Sequence, residues 1–245
     1  MSATPHILIT RPLGQQQPFI EQLEALGLSV SHLPCLEIEA LRDTTLDTDL
    51  AERYDSVLFT SVNAVRQAHR QRPLPWVGLA VHAIGAATGA ALQRLGQPLA
   101  FLPDSPYNSE SFLAQISTCR AGRLLLVKGC AGRGLLGPGL QKLGWQVASA
   151  EVYRRRLPRI PAAQVTRIVE RQPPDLISIT SNETLENLVT LAAAHLPRLQ
   201  ALPLVVNSAR AAELAQELGF RQAAMIAVPP GDQGQLDCIR RWLHR

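Results

Sequence analysis

Asp55-Ser56-Val57-Leu58-Phe59-Thr60-Ser61 and Asp175-Leu176-Ile177-Ser178-Ile179-Thr180-Ser181 carry one pattern twice, 120 positions apart: an acid, an apolar run, then Thr-Ser. A short apolar run of this kind suits a strand buried on both faces, and the Ser that follows suits the cap of a helix. Two more pairs keep the same order. Ile7-Leu8-Ile9-Thr10-Arg11, with a helix-like stretch closing at Leu26-Gly27, matches Leu124-Leu125-Leu126-Val127-Lys128, closing at Leu143-Gly144, 117 positions on. Val81-His82-Ala83-Ile84-Gly85, closing at Leu95-Gly96, matches Leu204-Val205-Val206-Asn207-Ser208, closing at Leu218-Gly219, at a spacing of 123. Three collinear echoes predict an α/β fold made by internal duplication of a strand, loop and helix unit. A solenoid would need more copies.

The 245 residues, 46% hydrophobic, are enough for two cores of ordinary domain size. No apolar run approaches a membrane span, and Met1-Ser2-Ala3-Thr4-Pro5 has no basic and apolar leader, so a cytoplasmic protein is expected. Cys35, Cys119, Cys130 and Cys238 form no Cys-x-x-Cys pair and have no His at metal spacing, which predicts reduced thiols and no metal site. Lys plus Arg number 24 against 20 Asp plus Glu, and the pI near 9.2 points to an acidic partner. The densest basic run, Tyr153-Arg154-Arg155-Arg156-Leu157-Pro158-Arg159, has no nucleic-acid motif beside it and aromatics are only 4%, so it reads as a solvated linker face.

Periodicity predicts a helix over 14–26 stopped by Gly27, a strand over 28–33, and exposed extended segments at 35–41 and 152–156. These last two occupy equivalent places after equivalent units and read as crossings between domains. Strand and helix pairs follow at 77–84 with 86–95 and at 99–102 with 109–118. In the second half, helices are expected at 162–171 and 183–194, and strands at 176–180 and 224–228 before a terminal helix. Alternating strands and helices imply parallel sheets covered on both faces.

In such sheets ligands gather at the carboxyl ends of strands, where helix N-termini offer free N–H groups to anions. Thr10, Arg11, Thr60, Ser61, Asn63, Gly85, Thr88, Lys128, Gly129, Ser181, Asn182 and Ser208 all fall in these loops and are the candidate binding residues. Each Ser or Asn taken alone reads as an ordinary helix cap, and it is their collective placement that points to a site. Gly129-Cys130-Ala131-Gly132-Arg133-Gly134 fits neither a dinucleotide fingerprint nor a phosphate loop. The histidines, His6, His32, His69, His82, His195 and His244, are scattered, and no serine elbow is present. His6 and His82 read as packed side chains, and Cys130 as a neutral thiol.

Thr10-Arg11-Pro12, Phe59-Thr60-Ser61-Val62-Asn63-Ala64-Val65, Ala83-Ile84-Gly85-Ala86-Ala87-Thr88, Ser109-Glu110-Ser111-Phe112-Leu113, and Leu143-Gly144-Trp145-Gln146-Val147 leading to Val152-Tyr153 together resemble the uroporphyrinogen-III synthase family, from about Ile7 to Leu243. Asn207-Ser208-Ala209-Arg210 departs from the family's Ile-Gly-x-x-Thr loop, and Lys128 stands where Arg is frequent. The resemblance implies two flavodoxin-like (Rossmann-like) domains joined by a two-stranded linker, one from 1–34 plus 157–245 and the other from 37–152, with crossings near 35–36 and 153–156. It implies cyclisation of hydroxymethylbilane, a linear tetrapyrrole with eight carboxylates, with inversion of ring D, loss of water and no cofactor. It also implies a monomer, with hand-over of substrate from hydroxymethylbilane synthase, and a role for Tyr153 as the acid at the departing hydroxyl. Phenols keep their proton near neutrality and can donate it. A polyanion of that size would meet two anion-binding edges across a cleft. A hinged anion- or sugar-binding module and a two-domain nucleotide-sugar transferase are the other architectures of this shape.

Overall fold

The two Asp-to-Ser runs become interior strands of two separate sheets. The protein is seen here as a computed structural model that describes residues 4–130 and 134–244. In chain order the elements begin with β1 (His6–Ile9), α1 (Gln17–Glu24), β2 (Ser29–His32), β3 (Glu37–Ala40), α2 (Leu50–Arg53), β4 (Ser56–Phe59) and α3 (Val62–Gln71). Then come β5 (Ala80–Ala83), α4 (Ala86–Arg94), α5 (Ser109–Ile116), β6 (Arg123–Gly129), α6 (Leu136–Lys142) and β7 (Gln146–Arg156). The remainder is α7 (Ala162–Thr166), β8 (Leu176–Ser178), α8 (Asn182–Leu191), α9 (Leu196–Leu199), β9 (Leu204–Val206), α10 (Ala209–Glu217), β10 (Met225–Ile226) and α11 (Asp232–Leu243).

Two units result, one running to Glu37 and resuming at Arg156, the other spanning Ile38–Arg155. The first holds a sheet in the order β10-β9-β8-β1-β2 with parallel pairings, which is the 2-1-3-4-5 order of flavodoxin-like folds. The second holds β3-β7-β6-β4-β5, extended by one parallel bridge from His82 to Phe101. The echoed strands occupy the same relative places in both: β1 corresponds to β6, β8 to β4 and β9 to β5. Here β3 is the additional strand. Glu39 pairs with Arg154 at 2.7 Å, Glu37 pairs with Arg156 at 3.0 Å and Leu41 N–H donates to Val152 O at 3.0 Å, a falling-against-rising register that makes β3 antiparallel to β7. Two charges of the basic run thus meet carboxylates in exposed pairs, each contributing about 0–1 kcal/mol.

Both sheets are covered on both faces, because each strand alternates its apolar side chains between two helical layers. In the Ile38–Arg155 unit Val57, Phe59, Leu125 and Val127 pack with Val65, Ala68 and Leu92 from α3 and α4. Leu58, Leu124 and Leu126 face the other way, onto Phe112, Ile116, Leu136 and Leu140 from α5 and α6. In the other unit Leu8, Ile177 and Val206 meet Leu185, Leu188, Ala211 and Ala215, while Ile7, Ile9 and Val205 meet Phe19, Leu23, Leu236 and Ile239. Truncating one such core leucine to alanine would cost about 2–5 kcal/mol.

Several elements are shorter than their periodicity predicts, and Pro or Gly accounts for most of this. The first helix starts at Gln17 rather than residue 14, since Gly14 takes φ 81° and Pro18 fits the opening turn. The strand expected from residue 77 begins only at Ala80, after Pro75 and a turn at Gly78 with φ 79°. The strand expected over 99–102 is reduced to the Phe101 bridge between Pro98 and Pro103, and that over 224–228 to Met225–Ile226 before Pro229-Pro230. The 162–171 helix is α-helical to Thr166 and then π-wound, and the 183–194 helix ends at Leu191 before a tight turn over Ala193–His195. Of the glycine-rich stretch, residues 131–133 lie outside the described residues.

Candidate active site

The carboxyl ends of β4, β6 and β7 and the loops entering α5 and α6 enclose a cavity of about 590 Å³ within the Ile38–Arg155 unit. Thr60, Ser61, Lys128, Gly129 and Tyr153 all line it. Ser61 is extended (φ −169°) and caps α3: its Oγ accepts the Ala64 N–H at 3.0 Å. The same Oγ lies 3.0 Å from the Tyr153 hydroxyl. Thr60 is turned inward, its Oγ1 donating to Val127 O at 3.3 Å.

Tyr153 reaches the cavity through an irregularity in the pairing of β6 with β7. Lys128 lies opposite Glu151 but Gly129 lies opposite Tyr153, so Val152 is an extra residue. Val152 and Tyr153 consequently turn to the same face, both joining the α3 and α4 core, which a regular strand forbids. The phenol ring lies against Gly129, where a Cβ would stand 2.5 Å from Tyr153 Cζ. Only glycine admits the ring there.

Lys128 Nζ sits 2.8 Å from Glu151 Oε1, and Cys130 Sγ donates to Glu151 Oε2 at 2.9 Å. These two hydrogen bonds, the thiol's first and the ammonium's second, hold the Glu151 carboxyl below its usual range. The bond to Glu151 and the thiol's own burial push Cys130 up, consistent with a neutral thiol.

Sequence reasoning missed the loop before α5. Gly85, the cap of α4, lies so close to Tyr107 that a Cβ would stand 2.7 Å from Tyr107 Cβ, and this contact brings Tyr107 to the cavity rim. Asn108 then caps α5, its Oδ1 accepting the Ser111 N–H at 2.8 Å. The cavity is therefore faced by the N-terminal ends of three helices, α3, α5 and α6, as well as by Lys128 and Arg155. The signal was present in Asn108-Ser109-Glu110, a cap followed by an acid. Thr88 is buried within α4, and Asn63 sits in the first turn of α3.

The remaining candidates belong to the other unit. Thr10 Oγ1 donates to Ser178 O at 2.7 Å and is fully buried. Arg11 is buried too, paired with Asp232 at 2.6 Å and stacked on Phe19. Ser181 caps α8 with Asn182 as its first residue, and Ser208 caps α10. Between these loops runs a polar network that sequence reasoning missed. Gln235 accepts from Ser178 Oγ at 2.6 Å and donates to Ile179 O and Asn207 Oδ1, and Asn207 donates in turn to Thr180 O. A second cavity of about 510 Å³, lined by residues from α10 and the segment up to β10, contains none of the candidates.

His82, read as a packed side chain, is buried with its ring edge-on to Phe101 and Trp145. Both ring nitrogens lack a partner, and burial lowers its pKa to about 4. Among the described residues no three His, Cys, Asp or Glu side chains are grouped to hold a metal ion. None of their helices is long and apolar enough to cross a membrane.

Residues 17–232 match the family described as uroporphyrinogen-III synthase HemD. The uroporphyrinogen-III synthase of Salmonella typhimurium is 31% identical over 227 residues, covering 88% of this chain and 92% of that protein. That of Synechococcus elongatus is 30% identical over 200 residues, covering 78% and 75%. Uroporphyrinogen-III synthetase from Helicobacter pylori shares the fold with a TM-score of 0.65 at 15% identity, over 98% of this chain and all of that one. A mutant of the Thermus thermophilus enzyme does so at 0.62 and 19%, over 98% and 99%. The matched span runs from α1 to the start of α11 and takes in every strand but β1, and on that ground the chain belongs to the uroporphyrinogen-III synthase family.

Proposed function

We propose that this protein cyclises hydroxymethylbilane to uroporphyrinogen III, inverting ring D and releasing water, in tetrapyrrole biosynthesis. The observation that carries the reading is the cavity on which Tyr153 and three helix N-termini converge in a chain of this family. Loss of the hydroxyl gives an azafulvene, attack forms a spiro intermediate, and fragmentation with reclosure reverses the ring. Water alone favours the uninverted isomer, so the protein's main task is to hold the terminal rings in the productive geometry, which needs no nucleophile. Tyr153 is the acid at the departing hydroxyl. In the Ile38–Arg155 unit Thr60, Lys128 and Gly129 serve the substrate's carboxylates through N–H groups and charge, and in the other unit the capping loops at Ser181, Asn182 and Ser208 offer N–H groups of the same kind.

The linear substrate closes unaided to the wrong isomer, which favours short transit and hence hand-over from hydroxymethylbilane synthase to a cytoplasmic monomer. The common strand order of the two sheets supports descent from one duplicated unit, with the β3 and β7 ribbon as a two-stranded linker.

Purified protein given freshly generated hydroxymethylbilane, without metal or nucleotide, is expected to yield mostly type III product, at a rate that falls with ionic strength. Product remaining type I, as in the protein-free control, would overturn the proposal and leave the hinged binding module as the reading.

A further inference from the structure

We infer that Ser61 is a positioning residue for the acid of this reaction, acting through Tyr153 rather than on the substrate. The inference rests on Tyr153 being that acid. Ser61 Oγ accepts the Ala64 N–H at 3.0 Å, and this bond fixes the oxygen and leaves its own hydrogen for the Tyr153 oxygen, also at 3.0 Å. With Ser61 donating, the phenol's hydrogen is free for the cavity that Tyr153 lines. Gly129 beneath the ring fixes its plane, so face and tip are held by different residues. Helix capping alone does not account for the arrangement. Ser181 caps α8 with nearly the same backbone (φ −157°, ψ 163° against −169°, 162°), yet its Oγ meets Thr184 Oγ1 at 2.8 Å instead of a phenol.

The chemistry gives this bond a function. As the substrate's C–O bond breaks, its electron pair goes to oxygen, the pyrrole nitrogen's lone pair fills the exocyclic carbon, and the Tyr153 proton completes the departing water. The phenolate left behind accepts the Ser61 hydrogen bond more strongly than the phenol did, so the bond stabilises the transition state more than the ground state. The phenolate regains a proton when the inverted ring, having made the closing bond, loses its ring-carbon proton and is an aromatic pyrrole again. Positive ends of the α3 peptide dipoles lie on the same side.

The test is a double-mutant cycle in the full-length protein, with kcat, KM and isomer ratio measured at each corner. Tyr153→Phe is expected to slow kcat by up to ~10²-fold. Ser61→Ala is expected to slow kcat by roughly 10-fold with KM and the type III fraction little changed, and the double mutant to be no slower than Tyr153→Phe alone. Ser61→Thr keeps a donor and is expected to retain most of the rate. Ser61→Asp keeps a good cap but is acceptor-only, and is expected to be at least as slow as Ser61→Ala. Independent, multiplying effects of the two substitutions, or Ser61→Thr as slow as Ser61→Ala in folded protein, would overturn the inference while leaving Tyr153 as the acid. Tyr153→Phe at the wild-type rate would remove the acid itself.

Discussion

Arg11 Nη1 lies 2.6 Å from Asp232 Oδ1 while its guanidinium carbon stacks 3.9 Å above the centroid of Phe19. The end of β1 is thereby tied to the first turn of α11, and a cation expected for the substrate is already partnered. Asp232 is 46% exposed but Arg11 only 9%, so Asp232→Ala would strand a buried charge. A loss of about 1–3 kcal/mol is expected by urea unfolding, below the ~3–5 kcal/mol of a fully buried pair. Arg11→Lys is expected to lose stability too, since an ammonium reproduces neither the stacking nor the planar fork. Unchanged stability with a raised KM in Arg11→Lys would return the residue to direct substrate contact.

Gly129→Ala probes the platform under Tyr153. Its Cβ would need the space held by the ring, and the ring would have to shift. We expect a stability loss of about 1–3 kcal/mol from overpacking and at least a tenfold fall in kcat. Alanine turning over at the wild-type rate would mean that the ring's position is unimportant.

The thiol of Cys130 donates to Glu151, and forming its thiolate would set two negative charges side by side. Cys130 should therefore alkylate slowly with iodoacetamide at pH 8, and several-fold faster in Glu151→Gln, as followed by peptide mass spectrometry that separates it from Cys119. Equal rates in the two proteins would show that Glu151 does not restrain the thiol.

His82 makes stability depend on acidity in a defined window. Its folded value near 4 lies below the 6.5 of an unfolded chain, so the unfolded form takes up the proton first. The neutral, packed imidazole is fully tolerated above pH 6.5, stability falls between 6.5 and 4, and this contribution levels off below that. The total is roughly 3 kcal/mol at 1.36 kcal/mol per pH unit. In His82→Leu the drop in urea stability between pH 7 and 4 should be smaller by roughly 2–3 kcal/mol. Parallel curves for the two proteins would rule out His82 as the group responsible.

The parts of this fold legible in the residues are those fixed by local chemistry. Val57-Leu58-Phe59 and Leu124 to Val127 are buried runs between polar ends, and only a doubly covered strand uses such runs. Gly27 and Gly144 follow their helices with φ 76° and 89°, the conformation that stops a helix most readily at glycine. Ser61, Ser181 and Ser208 are all caps, as their position before apolar helices implies. What the residues hid depends on approach between distant segments. Tyr107 reaches the cavity because Gly85, more than 20 positions earlier, has no side chain. The Gln235 and Asn207 network joins loops whose polar residues look like ordinary surface. Arg11 reads as a free cation until Asp232, 221 positions away, is placed beside it.

The extra residue in β7 makes the pairing of β3 with β7 sensitive to chain length in a way that side-chain chemistry does not capture. Substituting Val152 by another apolar residue changes packing alone, whereas deleting it would leave Glu151 and Tyr153 adjacent and restore strict alternation. Tyr153 would keep its face and its place opposite Gly129, but Arg154 and Arg156 would slip one place against Glu39 and Glu37, leaving each guanidinium out of register with its carboxylate. Point changes at this position are therefore expected to be graded in effect and single-codon deletions all-or-none. Across the family, this stretch of β7 should vary in residue type far more readily than in length.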